Sequence, residues 1–466
     1  MSKDILNEDT IAAIATAQGH GGIAIIRISG NDATSILKNI YRRSNNKPVE
    51  EIKPFRLYRG FIFSDEENRV IDDVLVVYMK APKSYTGQDV VEIHCHGGVI
   101  VSKIILDLCI KRGARAAEPG EFTKRAFLNN KMDLSQAEAV ADVINSQTEK
   151  ALKHSQMQLE GQLSKQINDY KDVVLDMLAE IEANVDFPEE GLDSLVKNRI
   201  LENSESLIEN LEKLISTFEQ GHILKHGITT AIIGKPNVGK SSLLNCLLRK
   251  DRAIVSEIPG TTRDFIEETI DIYGIPLKLI DTAGIRYTQQ DIEQMGIDLS
   301  RKISQEAEFQ IVVLDRSEKL GSDDLEVLKL LSDSNYIVVL NKNDLGTKIS
   351  EDDLPSHINR ELIIDISAKN NSNIDELRDK IFNIITGDNK SQEDSSVTIS
   401  ELRHKNSLEQ VIENLTRFKK ALVIDESPEY LAVDLRYALD KFGEITGEIT
   451  SEDVLSRIFS KFCIGK

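Results

Sequence analysis

The chain has 466 residues, room for about three domains that each bury a core. Its 57 basic and 77 acidic residues leave a net charge of −20, which argues against tight unaided binding to nucleic acid or to an anionic membrane. Cys95, Cys109, Cys246 and Cys463 are scattered without metal-site spacing, which suits a reducing cytoplasm, and no apolar run is long enough to span a membrane.

Residues 1–120 are strand-rich, with β-branched or aromatic runs at 23–28, 55–58, 73–78 and 90–94. One helix, 101–112, interrupts them and stops at Gly113. From 121 to 222 the pattern is helical: Asp133 and Gln136 form a capping box that opens the apolar rhythm Ala137, Val140, Ala141, Ile144. A second helix carries Ile167, Val174, Leu178 and Ile181 and ends before Asp186-Phe187-Pro188. Residues 223–388 alternate buried strands (228–233, 277–280, 336–340, 362–366) with helices, the first of which opens at Ser242. A polar stretch, 387–396, leads into 389–466, helical again over 431–442 and 454–462. The two helical segments flank a complete α/β unit, so they are expected to form one domain with that unit inserted into it.

The α/β unit carries four motifs, each at a strand end. Gly234 to Ser241 fits G-x-x-x-x-G-K-[ST], whose glycines let the backbone N–H groups of Asn237, Val238, Gly239, Lys240, Ser241 and Ser242 face phosphates. Lys240 then reaches the β- and γ-phosphates, and the Ser241 hydroxyl ligates Mg²⁺. Asp281-Thr282-Ala283-Gly284 suits the metal shell and the γ-phosphate, with Thr262 of the Gly260 to Asp264 loop as second Mg²⁺ ligand. In Asn341-Lys342-Asn343-Asp344, the Asp344 carboxylate can accept from guanine N1–H and its exocyclic amine, a donor pair adenine lacks. Ser367-Ala368-Lys369 closes over the base. All four in this order make a GTP-binding domain. Ile285 follows Gly284 where signalling GTPases carry a water-orienting glutamine, so the catalytic polar group comes from elsewhere.

Two further clusters invite comparison. On a strand, His94 and His96 share a face while Cys95 points away, so zinc is disfavoured. Basic residues at 103–115 and 403–405 read as solvated surface.

These motifs, the starts at 9–16 and 21–30, the run 119–129 and the terminal Phe462-Cys463-Ile464-Gly465-Lys466 together resemble the MnmE (TrmE) family of tRNA-modification GTPases over the whole chain. The resemblance implies a multidomain α/β fold in which a P-loop GTPase domain (223–388) is inserted into a helical domain (121–222 and 389–466). Ahead of it lies an α+β folate-binding-like dimerisation domain (1–120). It implies a cytoplasmic homodimer that works with the FAD- and NADH-dependent partner MnmG in a heterotetramer or larger complex. That complex adds an aminomethyl or carboxymethylaminomethyl group at carbon 5 of the tRNA wobble uridine, with tRNA held mainly through MnmG. The one-carbon source is 5-formyltetrahydrofolate or a related tetrahydrofolate, contacted by Arg27, Glu92, Lys131 and Lys466, while Cys463 has a chemical role. GTP hydrolysis uses K⁺ held by Asn237, Ser256, Ile258 and Thr261 in the nucleotide-facing loop Ser256-Glu257-Ile258-Pro259-Gly260-Thr261. Glu293 positions the water. The main rival is a GTP-switched ribosome-assembly factor, which would carry an RNA-binding appendage such as a G-x-x-G loop beyond 388.

Overall fold

The computed structural model describes residues 9–17, 19–43, 51–186, 193–251, 268–280, 307–329, 331, 335–387 and 397–466. Among them no helix is long and apolar enough to cross a membrane.

The N-terminal part is a seven-stranded sheet. Its elements are β1 (Ile11–Ile14), β2 (Ile23–Ser29), α1 (Ala33–Ile40), β3 (Tyr41–Arg43), β4 (Leu57–Ser64), β5 (Arg69–Met79), β6 (Val90–His96), α2 (Val99–Lys111) and β7 (Arg115–Ala116). The spatial order is β3-β4-β5-β6-β2-β1-β7, and every pair is antiparallel except β1–β7. Strand periodicity divides β2 cleanly: Ala24, Ile26 and Ile28 are buried under α1 and α2, leaving Ile23, Ile25 and Arg27 on the opposite face. Arg27 pairs across the ladder with Glu92, so both lie on that open face. The run expected at 55–58 begins as strand only at Leu57, because Phe55 sits at φ 58°, a left-handed turn conformation that no strand accommodates.

A helical layer follows, with α3 (Glu121–Leu128), α4 (Leu134–Asn145), α5 (Glu149–Leu159), α6 (Gln162–Asp186), α7 (Ser194–Ser216) and α8 (Phe218–His226). The capping box at α4 is present, with Gln136 N donating to Asp133 Oδ1 at 2.9 Å and Asp133 N to Gln136 Oε1 at 3.0 Å.

The inserted α/β unit holds β8 (Ile228–Ile233), α9 (Lys240–Asp251), β9 (Glu268–Ile272), β10 (Ile275–Ile280), β11 (Phe309–Asp315), α10 (Ser322–Lys329), β12 (Asn335–Asn341), β13 (Ile363–Asp365) and α11 (Ile374–Thr386). Its sheet order is β13-β12-β11-β8-β10-β9, parallel except for the β9–β10 hairpin. Near-continuous burial along β11 and β12 fits strands covered on both faces.

The chain then returns as α12 (Leu402–Val423), α13 (Pro428–Thr446) and α14 (Glu452–Phe459). Ile167, Val174, Ile181, Leu207 and Leu211 share one core with Leu408, Val411, Leu415, Leu435 and Phe442, so helices from both sides of the insertion make a single bundle. Lys225, at the end of the bundle's last helix before the insertion, donates to Asp142 Oδ2 at 2.7 Å and to Glu401, which caps α12 just after it. One partly buried lysine thus ties the two chain crossings together. The basic run 403–405 is not plain solvated surface. Arg403 reaches Glu138 at 2.6 Å, and His404 is wholly buried with Nε2 3.2 Å from the same carboxylate. Helical spacing turns these two positions inward, which a charge pattern read without tertiary contacts does not reveal.

Candidate functional site

The phosphate loop lies where β8 gives way to α9, at the carboxyl ends of the parallel strands. Its glycines are needed for closeness. A Cβ on Gly234 would lie 2.3 Å from the Val313 carbonyl, and one on Gly239 2.2 Å from Asn341 Nδ2. Asn237 sits at φ 63°, in the left-handed region that asparagine tolerates better than most side chains. Lys240 Nζ donates to the carbonyls of Gly234 at 2.6 Å and Lys235 at 2.9 Å, and burial pushes its pKa below the ordinary lysine value. Ser241 and Ser242 are exposed at the start of α9, next to the positive end of its dipole.

Base-side motifs converge on the same loop through Asn341. This residue is 3% exposed; its Nδ2 donates to the Val238 carbonyl at 2.8 Å, and its Oδ1 accepts from Ala368 N at 3.0 Å. One amide therefore fastens the phosphate loop to both base-contacting turns. Asp344 Oδ1 accepts from Ser367 Oγ at 2.6 Å, and Lys369 is exposed beside them. Lys342 lies at φ 67° with Nζ 2.5 Å from Asp315 Oδ2. On the phosphate side, Lys235 donates to Glu318 at 3.0 Å and Asp324 at 3.2 Å. Asp315, the last residue of β11, and Glu318 and Asp324 from the segment after it escaped the sequence reading because no motif marks them. Ser256, Glu257, Ile258, Pro259, Gly260, Thr261, Thr262, Asp281, Thr282, Ala283, Gly284 and Glu293 lie outside the described residues.

A second pocket forms on the open face of the N-terminal sheet. Arg27 Nε and Nη2 lie 3.0 and 2.9 Å from Glu92 Oε1, and Nη1 donates to the Gly465 carbonyl at 3.3 Å. The guanidinium lies 5.5 Å from the Tyr85 ring centre and 5.7 Å from that of Phe122. The tail reaches this place because Gly465 adopts φ 98° against β1, where a Cβ would lie 2.3 Å from the Ile14 carbonyl. The Lys466 carbonyl accepts from Phe122 N at 3.2 Å, and burial, followed by the charge of Arg27, pushes the Lys466 ammonium pKa down. Arg27, Glu92 and Lys466 are thus assembled from both ends of the chain. Lys131 makes no hydrogen bond or ion pair with them; its Nζ donates to the Pro82 carbonyl at 3.1 Å, on the loop that carries Tyr85. Cys463 is an exposed free thiol.

The run 119–129 holds this arrangement. Gly120 adopts φ 67° with Phe459 O 2.7 Å from where its Cβ would be, Tyr85 Oη meets Thr123 Oγ1 at 2.8 Å, and buried Arg125 donates to Glu121 at 2.9 Å and to Asp9 O at 2.8 Å. Tyr85, Phe122 and Gly465 went unnamed as pocket residues because no spacing rule connects them. His94 Nε2 lies 3.3 Å from Glu92 and His96 Nδ1 2.6 Å from Asp72, while Cys95 is buried. Among the described residues no group of three or more potential ligands is placed to hold a metal.

The family model described as the GTP-binding protein TrmE N-terminus matches residues 10–131, and the MnmE helical domain model matches 134–463. A protein named tRNA modification GTPase MnmE from Thermoanaerobacter pseudethanolicus is 45% identical over 459 residues, 98% of this chain and 99% of the relative. One of the same name from Clostridioides difficile is 46% identical over 460 residues, again 98% of this chain and 99% of its own. Among solved structures, Aquifex aeolicus Era with GDP and aluminium fluoride covers 40% of this chain and 66% of its own at 27% identity, with a TM-score of 0.26, a likeness too partial to bear on the fold. By both family models and by these whole-length relatives, the chain belongs to the MnmE (TrmE) family of tRNA modification GTPases.

Proposed function

We propose that the chain hydrolyses GTP to GDP in a K⁺-dependent manner as a cytoplasmic homodimer. With MnmG, it installs the aminomethyl or carboxymethylaminomethyl group at carbon 5 of the tRNA wobble uridine from a tetrahydrofolate one-carbon unit. The observation that carries this reading is the Asn341 clasp, which couples a guanine-reading turn to a phosphate cradle in a chain akin to named tRNA modification GTPases along its whole length.

In this reading Asp344 accepts two hydrogen bonds from guanine, and the N–H groups from Asn237 to Ser242 surround the phosphates. Lys240 stabilises charge on the β–γ bridge, the Ser241 and Thr262 hydroxyls face Mg²⁺, and Glu293 orients the attacking water. The left-handed backbone of Asn237 fits an exposed amide at the mouth of the loop, where with Ser256, Ile258 and Thr261 it would hold K⁺. That cation supplies positive charge against the developing transition state. The second pocket fits a folate. Arg27 and Lys466 supply positive charge for carboxylates, and the partly exposed Tyr85 ring offers a flat face, with buried Phe122 packed against Arg27 from below.

GTP turnover is expected to be at least about tenfold faster in KCl than in NaCl, with Asn237→Ala flattening the difference. Mass spectrometry of wobble-uridine nucleosides from a strain lacking the protein is expected to show loss of the C5 substituent. Equal rates in both salts would overturn the K⁺ site, and unchanged nucleosides the tRNA role.

A further inference from the structure

We propose that Asp315 is a positioning residue for guanine recognition: it holds Lys342, and through it the Asn341–Asp344 turn, in the conformation that presents Asp344 to the base. The inference rests on the GTP reading above.

Lys342 has φ 67° and ψ 37°, left-handed values that cost a non-glycine residue about 1 kcal/mol and need an external restraint. That restraint is an ion pair, Lys342 Nζ to Asp315 Oδ2 at 2.5 Å. The carboxylate is itself fixed. Its side chain is 4% exposed, and Oδ1 accepts from Ser317 N at 2.9 Å and Ser317 Oγ at 2.6 Å. Burial works against the charged form, yet the hydrogen bonds from Lys342 and Ser317 hold the Asp315 pKa below its ordinary value. The backbone adds a second tie: Asp315 stands opposite Asn341 in the β11–β12 register, and Arg316 N donates to the Asn341 carbonyl at 2.8 Å. Asp344 lies two residues beyond Lys342, on a 3₁₀ turn that begins at Asn343. Releasing Lys342 lets that turn relax toward ordinary backbone angles and swings the Asp344 carboxylate away from the two guanine donors.

The test uses full-length protein and fluorescent N-methylanthraniloyl derivatives of GDP and of IDP, which lacks the exocyclic amine. Asp315→Asn is expected to speed GDP dissociation about tenfold, the worth of one charged hydrogen bond, and to slow or speed IDP far less, so the GDP-over-IDP preference narrows. Ser317→Ala removes only the hydroxyl and is expected to shift the preference the same way by about twofold. In a Lys342→Met background, Asp315→Asn is expected to add nothing. A merely structural role would weaken both nucleotides equally or lower only the melting temperature, and that result would overturn the proposal. Should Asp315→Asn not fold, Ser317→Ala decides: an unchanged preference refutes the inference. Wild-type protein that binds neither nucleotide would instead overturn the GTP reading on which it rests.

Discussion

The nucleotide site and the N-terminal pocket are built on opposite principles. In the first, the phosphate loop is eight consecutive residues, Gly234 to Ser241, running from the end of one strand into the first turn of one helix, and its partners sit at the ends of neighbouring parallel strands. In the second, Arg27 and the Gly465 carbonyl meet across 438 residues of chain, with Glu92, Tyr85 and Phe122 brought in by three further segments. A local site is robust to changes elsewhere, because its geometry is imposed by backbone turns. An assembled site depends on docking of a short tail and is lost when that docking fails.

Three changes break or sharpen this contrast. The largest effect is expected at Lys240. Lys240→Ala should cut GTP turnover at least about a hundredfold in a phosphate-release assay, while leaving 5-formyltetrahydrofolate affinity within twofold of wild type. Loss of both together would mean that the two sites are not separate. Next comes Gly465→Ala, whose new methyl meets the Ile14 carbonyl at 2.3 Å on a left-handed backbone. It should release the tail, raise amide exchange at Phe122 and Lys466, and weaken folate binding about tenfold with GTP turnover unchanged. Slow exchange with full folate affinity would show that the tail is not what completes the pocket.

The smallest effect concerns the helical layer that joins the two sites. His404 and His154 have pKa values held below 6.5 by burial, His404 also by the charge of Arg403 and against the pull of Glu138 and Glu401. The unfolded chain therefore takes these protons first, and stability is lost as pH falls below 6.5. Asp142 opposes them, because burial pushes its carboxyl up to about 6, so below that pH the folded form holds a proton the unfolded chain releases. Stability, and with it the melting temperature, should fall between pH 7 and 6, each histidine contributing up to about 1.4 kcal/mol per pH unit. A melting temperature that rises through that interval would contradict the burial assigned to these histidines.

Much of the nucleotide site was legible because each motif is short and each residue type answers to one chemical need. Gly239 must be glycine for the close approach of Asn341, and Asn237 tolerates its left-handed backbone. The shared helical core was legible too, through apolar spacing in two distant segments. Less visible were Phe55, whose turn conformation shortens a run that looks like strand, and Arg403 and His404, whose charge pattern looks like surface. Asp315 went unmarked because its partner, Lys342, is fixed by strand register rather than by spacing along the chain, and Ser317 because it acts only on Asp315.

By itself, then, the sequence determined the nucleotide chemistry, the alternation of strand and helix, and the insertion of one unit into another. Hydrogen-bonding geometry and apolar periodicity act over a few residues, and a linear string records them faithfully. Only the tertiary structure decided that the last residues lie against the first strand, that Lys225 fastens the two chain crossings, and that the acid ending β11 restrains the base-reading turn. Those contacts arise from packing between separate segments, 27 residues apart for Lys342 and Asp315 and 438 for Arg27 and Gly465, where the closing partner is chosen by the whole fold and leaves no local mark.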